Sequence, residues 1–279
     1  MSRILVTGGA GFIGYNFSIY AQSLGHDITI LDSLVGSNIS KDTIVHSGMK
    51  FIQRDIRTLD SLNVADGQFD TLIHLAAQTS VQYSILHPEE TREINVEGTA
   101  AVFRFAKRSG IGRVIVASSS AVYGDSKEEV HRIGEEGNML SPYAVSKYEN
   151  EKQVLKHRLD GFEAIALRFF NVFGPGQSST GAYAAVIPTF IEKISQNIPC
   201  TIFGDGFQTR DFIFVQDVIE LLLTLATNNS LITKSHVYNV GTGGGTTVKE
   251  IGMIISELAG YPEFNFVTHK SSTHTCTVS

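Results

Sequence analysis

Tyr143 and Lys147 stand four residues apart in the stretch Ser141-Pro142-Tyr143-Ala144-Val145-Ser146-Lys147. On a helix that spacing places both side chains on one face. A phenol with a pKa of about 10 is a weak base at neutral pH, but a neighbouring ammonium favours the phenolate and lowers that pKa. A tyrosine so placed could take the proton from a substrate hydroxyl. A second stretch, Ser118-Ser119-Ser120-Ala121-Val122-Tyr123-Gly124, offers hydroxyls that could share the same oxygen, with Ser119 and Ser120 as candidates. Either stretch alone has an ordinary explanation: Tyr and Lys at helical spacing often form a solvated face, and serines after a strand often form turns. The chemistry becomes an oxidation only where a bound cofactor accepts the hydride.

The N-terminus predicts such a cofactor site. Ile4, Leu5 and Val6 form a short apolar run suited to a buried strand. Gly8, Gly11 and Gly14 follow, and Phe12, Ile13, Phe17, Ile19 and Tyr20 then give a helical apolar spacing. Strand, glycine turn and helix in that order make a dinucleotide cradle. The glycines let backbone approach pyrophosphate, and the helix N-terminus offers N–H groups and its dipole to the phosphates. The spacing is G-x-x-G-x-x-G, which by itself also fits a plain glycine-rich turn. A second strand, Asp27 to Leu31, ends at Asp32, 18 residues after Gly14, where an acid would hold the adenosine ribose hydroxyls. A carboxylate there repels a 2′-phosphate, and no Arg follows at Ser33 or Leu34, so the cofactor is expected to be NAD and not NADP.

These elements belong to a longer alternation. Further strands are expected at Lys50 to Gln53, Thr71 to Leu75, Arg113 to Ala117 and Glu163 to Phe169, with helices at Ile94 to Ser109 and Pro142 to Leu159. Ser141 reads as the N-cap of the last of these and Pro142 as its first residue. Alternation of this kind predicts an α/β fold of Rossmann type, a doubly wound parallel sheet with ligands at the carboxyl ends of its strands. Asp55 and Ile56 after the third strand could meet the adenine. The segment His74 to Ala77, HLAA, ends the fourth, and the small Ala76 and Ala77 beside Leu75 would let a cofactor lie close to backbone. His74 itself reads as a packed, hydrogen-bonded core histidine.

After Phe170 the texture changes. Asn171 to Gln177 reads as a loop, Ala182 to Gln196 as a helix interrupted early by Pro188, and Thr201 to Phe203 as a strand. Phe212 to Val215, Asp217 to Ala226 and Tyr238 to Val240 read as strand, helix and strand, and Val248 to Leu258 as a last helix. GTGGG, Gly241 to Gly245, lacks the Lys-Ser/Thr of a P-loop and reads as a turn. The expected organisation is an NAD-binding domain over residues 1–170, to which about 213–240 return, and a smaller C-terminal substrate lobe over 171–279.

Composition sets outer bounds. The 279 residues are 42% hydrophobic and 18% charged, with a net charge of −6 and no basic block, so nucleic acid is not an expected partner. Cys200 and Cys276 form no C-x-x-C, which argues against a zinc site or a disulfide scaffold and fits a reducing, cytoplasmic setting. No apolar run reaches membrane-spanning length.

With these pieces in order, the sequence resembles the extended short-chain dehydrogenase/reductase family, the nucleotide-sugar epimerases and dehydratases. TGGAGFIG, HLAA, SSSAVYG, SPYAVSK and LRFFNVFGP match its motifs from Arg3 to about Gly260. The resemblance implies catalytic roles for Ser119, Tyr143 and Lys147, with Ser120 beside them at the substrate. It implies NAD contacts from Gly8, Gly11, Phe12, Ile13, Gly14, Asp32, Asp55, Ile56, Leu75, Ala76, Ala77, Tyr143, Lys147 and Phe170. Nucleotide-diphosphate contacts would come from Asn171 and Arg210. GAYAAVIPTFI and IFGDGFQTRDF look like the 4-epimerases of UDP-glucose and UDP-N-acetylglucosamine. The family's 4,6-dehydratases carry an Asp-Glu pair where Ser120 and Ala121 stand here, and the related decarboxylases keep a Glu at the position of Ala121. The expected activity is therefore NAD-dependent 4-epimerisation of a UDP-linked sugar by a homodimer.

The tail departs from the family pattern. An Arg–Gly–Asp-like segment and a further helix usually follow the last helix, whereas THKSSTHTCTVS matches neither, so the substrate lobe reads as truncated. That leaves two rival expectations, a catalytically weak NAD-binding protein and a net oxidoreductase or synthase on another nucleotide sugar.

Overall fold

The structure, a computed structural model, describes residues 1–37, 39–65, 67–128, 130–179, 185–228, 234–261 and 263–269. In chain order it contains β1 (Arg3–Thr7), α1 (Phe12–Ser23), β2 (Asp27–Asp32), α2 (Lys41–His46), β3 (Lys50–Gln53), β4 (Thr71–His74), α3 (Val81–Leu86), α4 (Pro88–Arg92), α5 (Gly98–Arg108), β5 (Arg113–Ser119), α6 (Pro142–Leu159) and β6 (Glu163–Phe169). There follow β7 (Asn171–Phe173), α7 (Val186–Ser195), β8 (Cys200–Phe203), β9 (Thr209–Arg210), β10 (Phe212–Phe214), α8 (Val215–Thr227), β11 (Val237–Val240), β12 (Thr246–Thr247), α9 (Val248–Leu258) and β13 (Phe266–His269).

Seven strands form one sheet in the order β11-β6-β5-β4-β1-β2-β3, every neighbouring pair parallel. The chain runs outward from β1 to β3 and then restarts at β4 on the other side of β1. The carboxyl ends of β1 and β4 therefore flank the crevice where such a sheet binds ligands. Strand period two explains the two-sided core. Ile4 and Val6 pack on one face with Phe17 and Ala21 of α1 and Val218 and Leu222 of α8. Leu5 packs on the other with Val102, Phe103, Phe105 and Ala106 of α5 and Val154 of α6. A separate small cluster joins Phe190 and Ile194 of α7 to Cys200 and Ile202 of β8, with Ile251 and Ile255 of α9 against it.

Several expectations shift. The helix expected from Ile94 begins at Pro88: α4 runs through a π-helical turn, Glu93–Glu97, into α5. The charged residues Glu89, Glu90, Arg92 and Glu93 hide the apolar period there, while Pro88 at the first helical position marks the true start. Asn171 to Gln177, expected as a loop, opens with β7, which pairs in parallel with β10. Its strand character comes from the partner, since Gly174 and Pro175 follow at once. Helices α2 and α3 and the 3₁₀ turn Ile56–Ser61 are six residues each, too short to show a helical period in sequence. Thr268 and His269, part of the unmatched tail, lie in β13, parallel to β8. Ala182 to Ala184, the expected start of the next helix, lie outside the described residues; α7 is described from Val186, with Pro188 in its first turn, where no N–H is needed. Among the described residues no helix is long and apolar enough to cross a membrane.

Candidate active site

α6 carries the tyrosine and lysine, and its start is fixed on several sides. Ser141 caps the helix, accepting from Ala144 N at 3.1 Å. Tyr143 N donates to Ser84 Oγ of α3 at 3.1 Å. Ser146 Oγ donates to Tyr143 O at 2.7 Å and accepts from Asn95 Nδ2 at 2.9 Å. Asn95 also grips both backbone groups of Gln78, at 2.8 and 2.9 Å, tying the segment after β4 to the helix. Ser84 and Asn95 are buried and escaped sequence reading. Ser84 carried no signal, but a lone Asn inside the apolar period of a helix was a usable one, and it sits in the π turn, a feature frequent at functional sites.

Ser119 ends β5. Its hydroxyl accepts from Ala121 N at 3.2 Å and is close enough to the phenol to lower the Tyr143 pKa. Strand alternation sends Ser118 the other way, to Glu151. Ser120 is 2% exposed, and of the two hydroxyl candidates Ser119 is the one that lowers the phenol's pKa.

The electrostatics correct one expectation. Lys147 Nζ lies 5.8 Å from the centre of the Tyr143 ring and donates to Ala117 O at 2.9 Å. Burial lowers its pKa from 10.5 to about 8. Burial also raises the Tyr143 pKa, and what opposes the rise is Ser119. The chain alone thus favours the neutral phenol, because its desolvation outweighs the help of Ser119.

The glycine turn fits a dinucleotide. Gly8 has φ +71°, and a Cβ on it would sit 2.5 Å from Ala76 N. A Cβ on Gly14 would run into the Gly8 carbonyl, whereas one on Gly11 would meet only Gly8 O, at 3.2 Å, with open space beyond. Gly11 is the N-cap of α1; no side chain caps it and no acid occupies the first turn, where Phe12 and Ile13 are half-buried. The positive end of the helix therefore faces a cradle open to an anion. Asp32 is 9% exposed and accepts from Ala10 N at 3.0 Å and Leu34 N at 2.8 Å, bracing the glycine turn. Gly14→Ala is expected to cost about 1–3 kcal/mol by overpacking and to abolish NAD binding, read as a lower Tm that added NAD no longer raises.

The other predicted contacts differ in what they can offer. Leu75, Ala76 and Ala77 are half-buried at the end of β4, with Leu75 N on Thr7 O at 3.0 Å. Asp55 is bound by Arg57 through its backbone and guanidinium, which holds its carboxyl below the usual range. Ile56 packs inward on Gly98, so its side chain faces away from a ligand. His74 is a core histidine: Nδ1 meets Thr7 Oγ1 at 2.7 Å and Nε2 meets Thr99 Oγ1 at 2.9 Å, and burial drives its pKa to about 3. Thr99 donates to Asn95 O, which leaves its oxygen to accept from Nε2–H and fixes the neutral tautomer.

Phe170 is half-buried and donates its N–H to Val240 O at 3.0 Å. Asn171 donates to Asp211 O through both backbone and side chain, and Arg210 adjoins the same aspartate, its pKa lowered by burial. The Asp211 carboxylate holds Thr242 and Gly243, so GTGGG is an anchored turn.

This geometry can be set beside known proteins. The profile of the NAD-dependent epimerase/dehydratase family matches residues 4–241. A candidate UDP-glucose 4-epimerase of Methanocaldococcus jannaschii is 38% identical, covering 92% of this chain and 83% of its own. A UDP-N-acetyl-α-D-glucosaminuronate decarboxylase of Bacillus cytotoxicus is 30% identical, covering 97% and 81%. Among solved structures, a UDP-N-acetylglucosamine 4-epimerase of Methanobrevibacter ruminantium, bound to UDP-N-acetylmuramic acid, is 30% identical with a TM-score of 0.87 and covers 98% of this chain and 87% of that one.

Proposed function

The chain belongs to the NAD-dependent epimerase/dehydratase family, and from that premise we propose that it interconverts a UDP-linked sugar and its 4-epimer. The observation that carries the reading is Tyr143 with Lys147 5.8 Å from its ring and Ser119 lowering its pKa, and no acid at the two positions after Ser119, Ser120 and Ala121. NAD would be held in the glycine cradle, where it would supply the acceptor and donor of the sugar C4 hydride and a positive charge that favours the Tyr143 phenolate. Tyr143 takes the proton of the C4 hydroxyl, with Ser119 donating to the same oxygen, and later gives the proton back. Lys147, fixed by Ala117 O, keeps positive charge beside the phenol. Asn171 and Arg210 grip the diphosphate while the 4-keto sugar turns and presents its opposite face.

A decarboxylase also stands among the relatives, and its chemistry needs different residues. Eliminating water across C5 and C6 needs an acid and a base, and decarboxylation in this family uses a glutamate after the serine. Neither Ser120 nor Ala121 can do that work near pH 7, which supports epimerisation over both. The GAYAAVIP stretch favours the N-acetylated sugar. The test is direct: UDP-N-acetylglucosamine and UDP-glucose are each incubated with the protein, and the 4-epimer is sought.

Two further expectations follow from this reading. The purified protein retains NAD(H): denaturation releases NAD and not NADP, and release of NADP contradicts the reading of Asp32. We also propose a homodimer built on the α5 and α6 helices. Val102, Phe103, Phe105 and Ala106, all 0% exposed, face the core and are unavailable for it. Val145 at 46%, Leu155 at 39% and Leu159 at 79% exposed are the large apolar groups that remain on α6. Light scattering at micromolar concentration is expected to give twice the chain mass, and a monomer contradicts the assignment.

A further inference from the structure

Glu151 stands one turn beyond Lys147 and two beyond Tyr143 on α6, so the three project from one side of the helix. It is 3% exposed. Its Oε1 accepts from Ser118 Oγ at 2.5 Å and from Arg168 Nε at 2.8 Å, and its Oε2 from Arg168 Nη2 at 2.7 Å. Arg168, 1% exposed, lies opposite Ser118 in the pairing of β5 with β6. Its Nη1 is 2.6 Å from Glu136 Oε1, and its guanidinium sits 4.8 Å above the Tyr123 ring. Tyr123 in turn donates to Asn239 of β11 at 2.7 Å. The cluster thus joins α6, β5, β6, β11 and the segment carrying Glu136.

Stability does not account for it. Replacing a buried ion pair by apolar groups of equal volume is often neutral or stabilising. Its placement suggests another use. Ser118 and Ser119 are consecutive strand residues and point to opposite faces. Pinning Ser118 to Glu151 fixes the rotation of the strand end that aims Ser119 at the phenol. The phenol rides on the same helix as Glu151, so one carboxylate ties the strand end that carries Ser119 to the helix that carries Tyr143.

We propose that Glu151, gripped by Ser118 and Arg168, is a positioning residue that holds Ser119 against the Tyr143 phenol. The inference rests on the proposed function, in which that pair handles the C4 hydroxyl. The phenol is faced by Lys147 from its own helix and Ser119 from β5, with His74 of β4 within the field of Lys147. Glu151 is faced by Arg168 and Ser118 and feels His236 just before β11, while Glu136 faces Arg168 from its other side. Because Ser119 lowers the phenol's pKa, displacing it moves the acid limb of the kcat profile to higher pH.

Wild type, Ser118→Ala and Glu151→Gln are assayed across pH with UDP-glucose and UDP-N-acetylglucosamine. Both variants are expected to lose about fivefold or more in kcat, the order of one positioning hydrogen bond. KM and bound NAD should hold, and the acid limb should move upward. A merely structural role would lower Tm and leave the limb in place, and that result overturns the proposal. Should Glu151→Gln fail to fold, Ser118→Ala decides alone, and a wild-type kcat and limb in it also overturn the proposal. If the wild type turns over neither sugar, the functional reading has failed separately. NMR of isotope-labelled tyrosine in the NAD-loaded protein then titrates Tyr143 without turnover: an upward shift in both variants supports the clamp, and no shift overturns it.

Discussion

Tyr143→Phe is expected to lower kcat by about 10²–10⁴-fold, the usual contribution of one general acid–base group, while NAD binding stays near that of the wild type. The substitution removes one oxygen and little else. The bonds that place the residue run through its backbone, from Tyr143 N to Ser84 and from Ser146 to Tyr143 O, and they survive in the variant. Ser119 keeps its bond from Ala121 N, so the strand end stays in place. What disappears is the atom that exchanges the proton. Because burial favours the neutral phenol, losing its hydroxyl should not destabilise the fold. Turnover of UDP-N-acetylglucosamine and UDP-glucose, with bound NAD measured on the same preparation, decides the matter. A Phe variant with wild-type turnover removes Tyr143 from the mechanism.

Lys147→Met is expected to abolish turnover and yet stabilise the cofactor-free protein at neutral pH. Lys147 is 4% exposed, and burial lowers its pKa from 10.5 to about 8. Below pH 8 the folded protein must bury an ammonium that the unfolded chain keeps in water. Two and a half pKa units correspond to about 3 kcal/mol, and losing the bond to Ala117 O, about 1 kcal/mol, offsets part of the gain. The sign fixes the pH window. Between pH 8 and 10.5 the unfolded chain binds more protons than the folded one, so wild-type stability rises with pH across that interval. The excess stability of the Met variant should therefore be greatest below pH 8 and fade as pH approaches 10.5. Thermal melts of both proteins across this range check it. A Met variant less stable than wild type at pH 7 would mean that Lys147 is not held at a cost for function.

Most of the Rossmann framework could be read before the structure because its signals are local. The apolar runs at Ile4–Val6 and Val114–Val116, the glycine spacing and the Ser141-Pro142 helix start each depend on a few adjacent residues. The Tyr143–Lys147 face followed from helical periodicity alone. What escaped depends on distant partners. β7 exists because Phe212–Phe214 lies beside it, and β13 because β8 does. Ser84 bonds Tyr143 across 59 residues of chain and Asn95 bonds Ser146 across 51, which no window of periodicity can span. The electrostatic expectation failed for a related reason. The spacing of Tyr143 and Lys147 is visible in sequence, but the desolvation that acts on each depends on how deeply both are covered. Ser118, Ser119 and Ser120 were indistinguishable as a run of like residues. The register of β5 separates them, sending the first to Glu151, the second to the phenol and the third into the core.

The central claim is that this site oxidises a sugar at C4 and can do nothing with the product but reduce it again. NMR of the reaction mixture with UDP-N-acetylglucosamine, and separately with UDP-glucose, tests it most directly. The account predicts signals of the 4-epimer growing to equilibrium with no net NADH. A 6-deoxy methyl signal, a pentose product or stoichiometric NADH would contradict it.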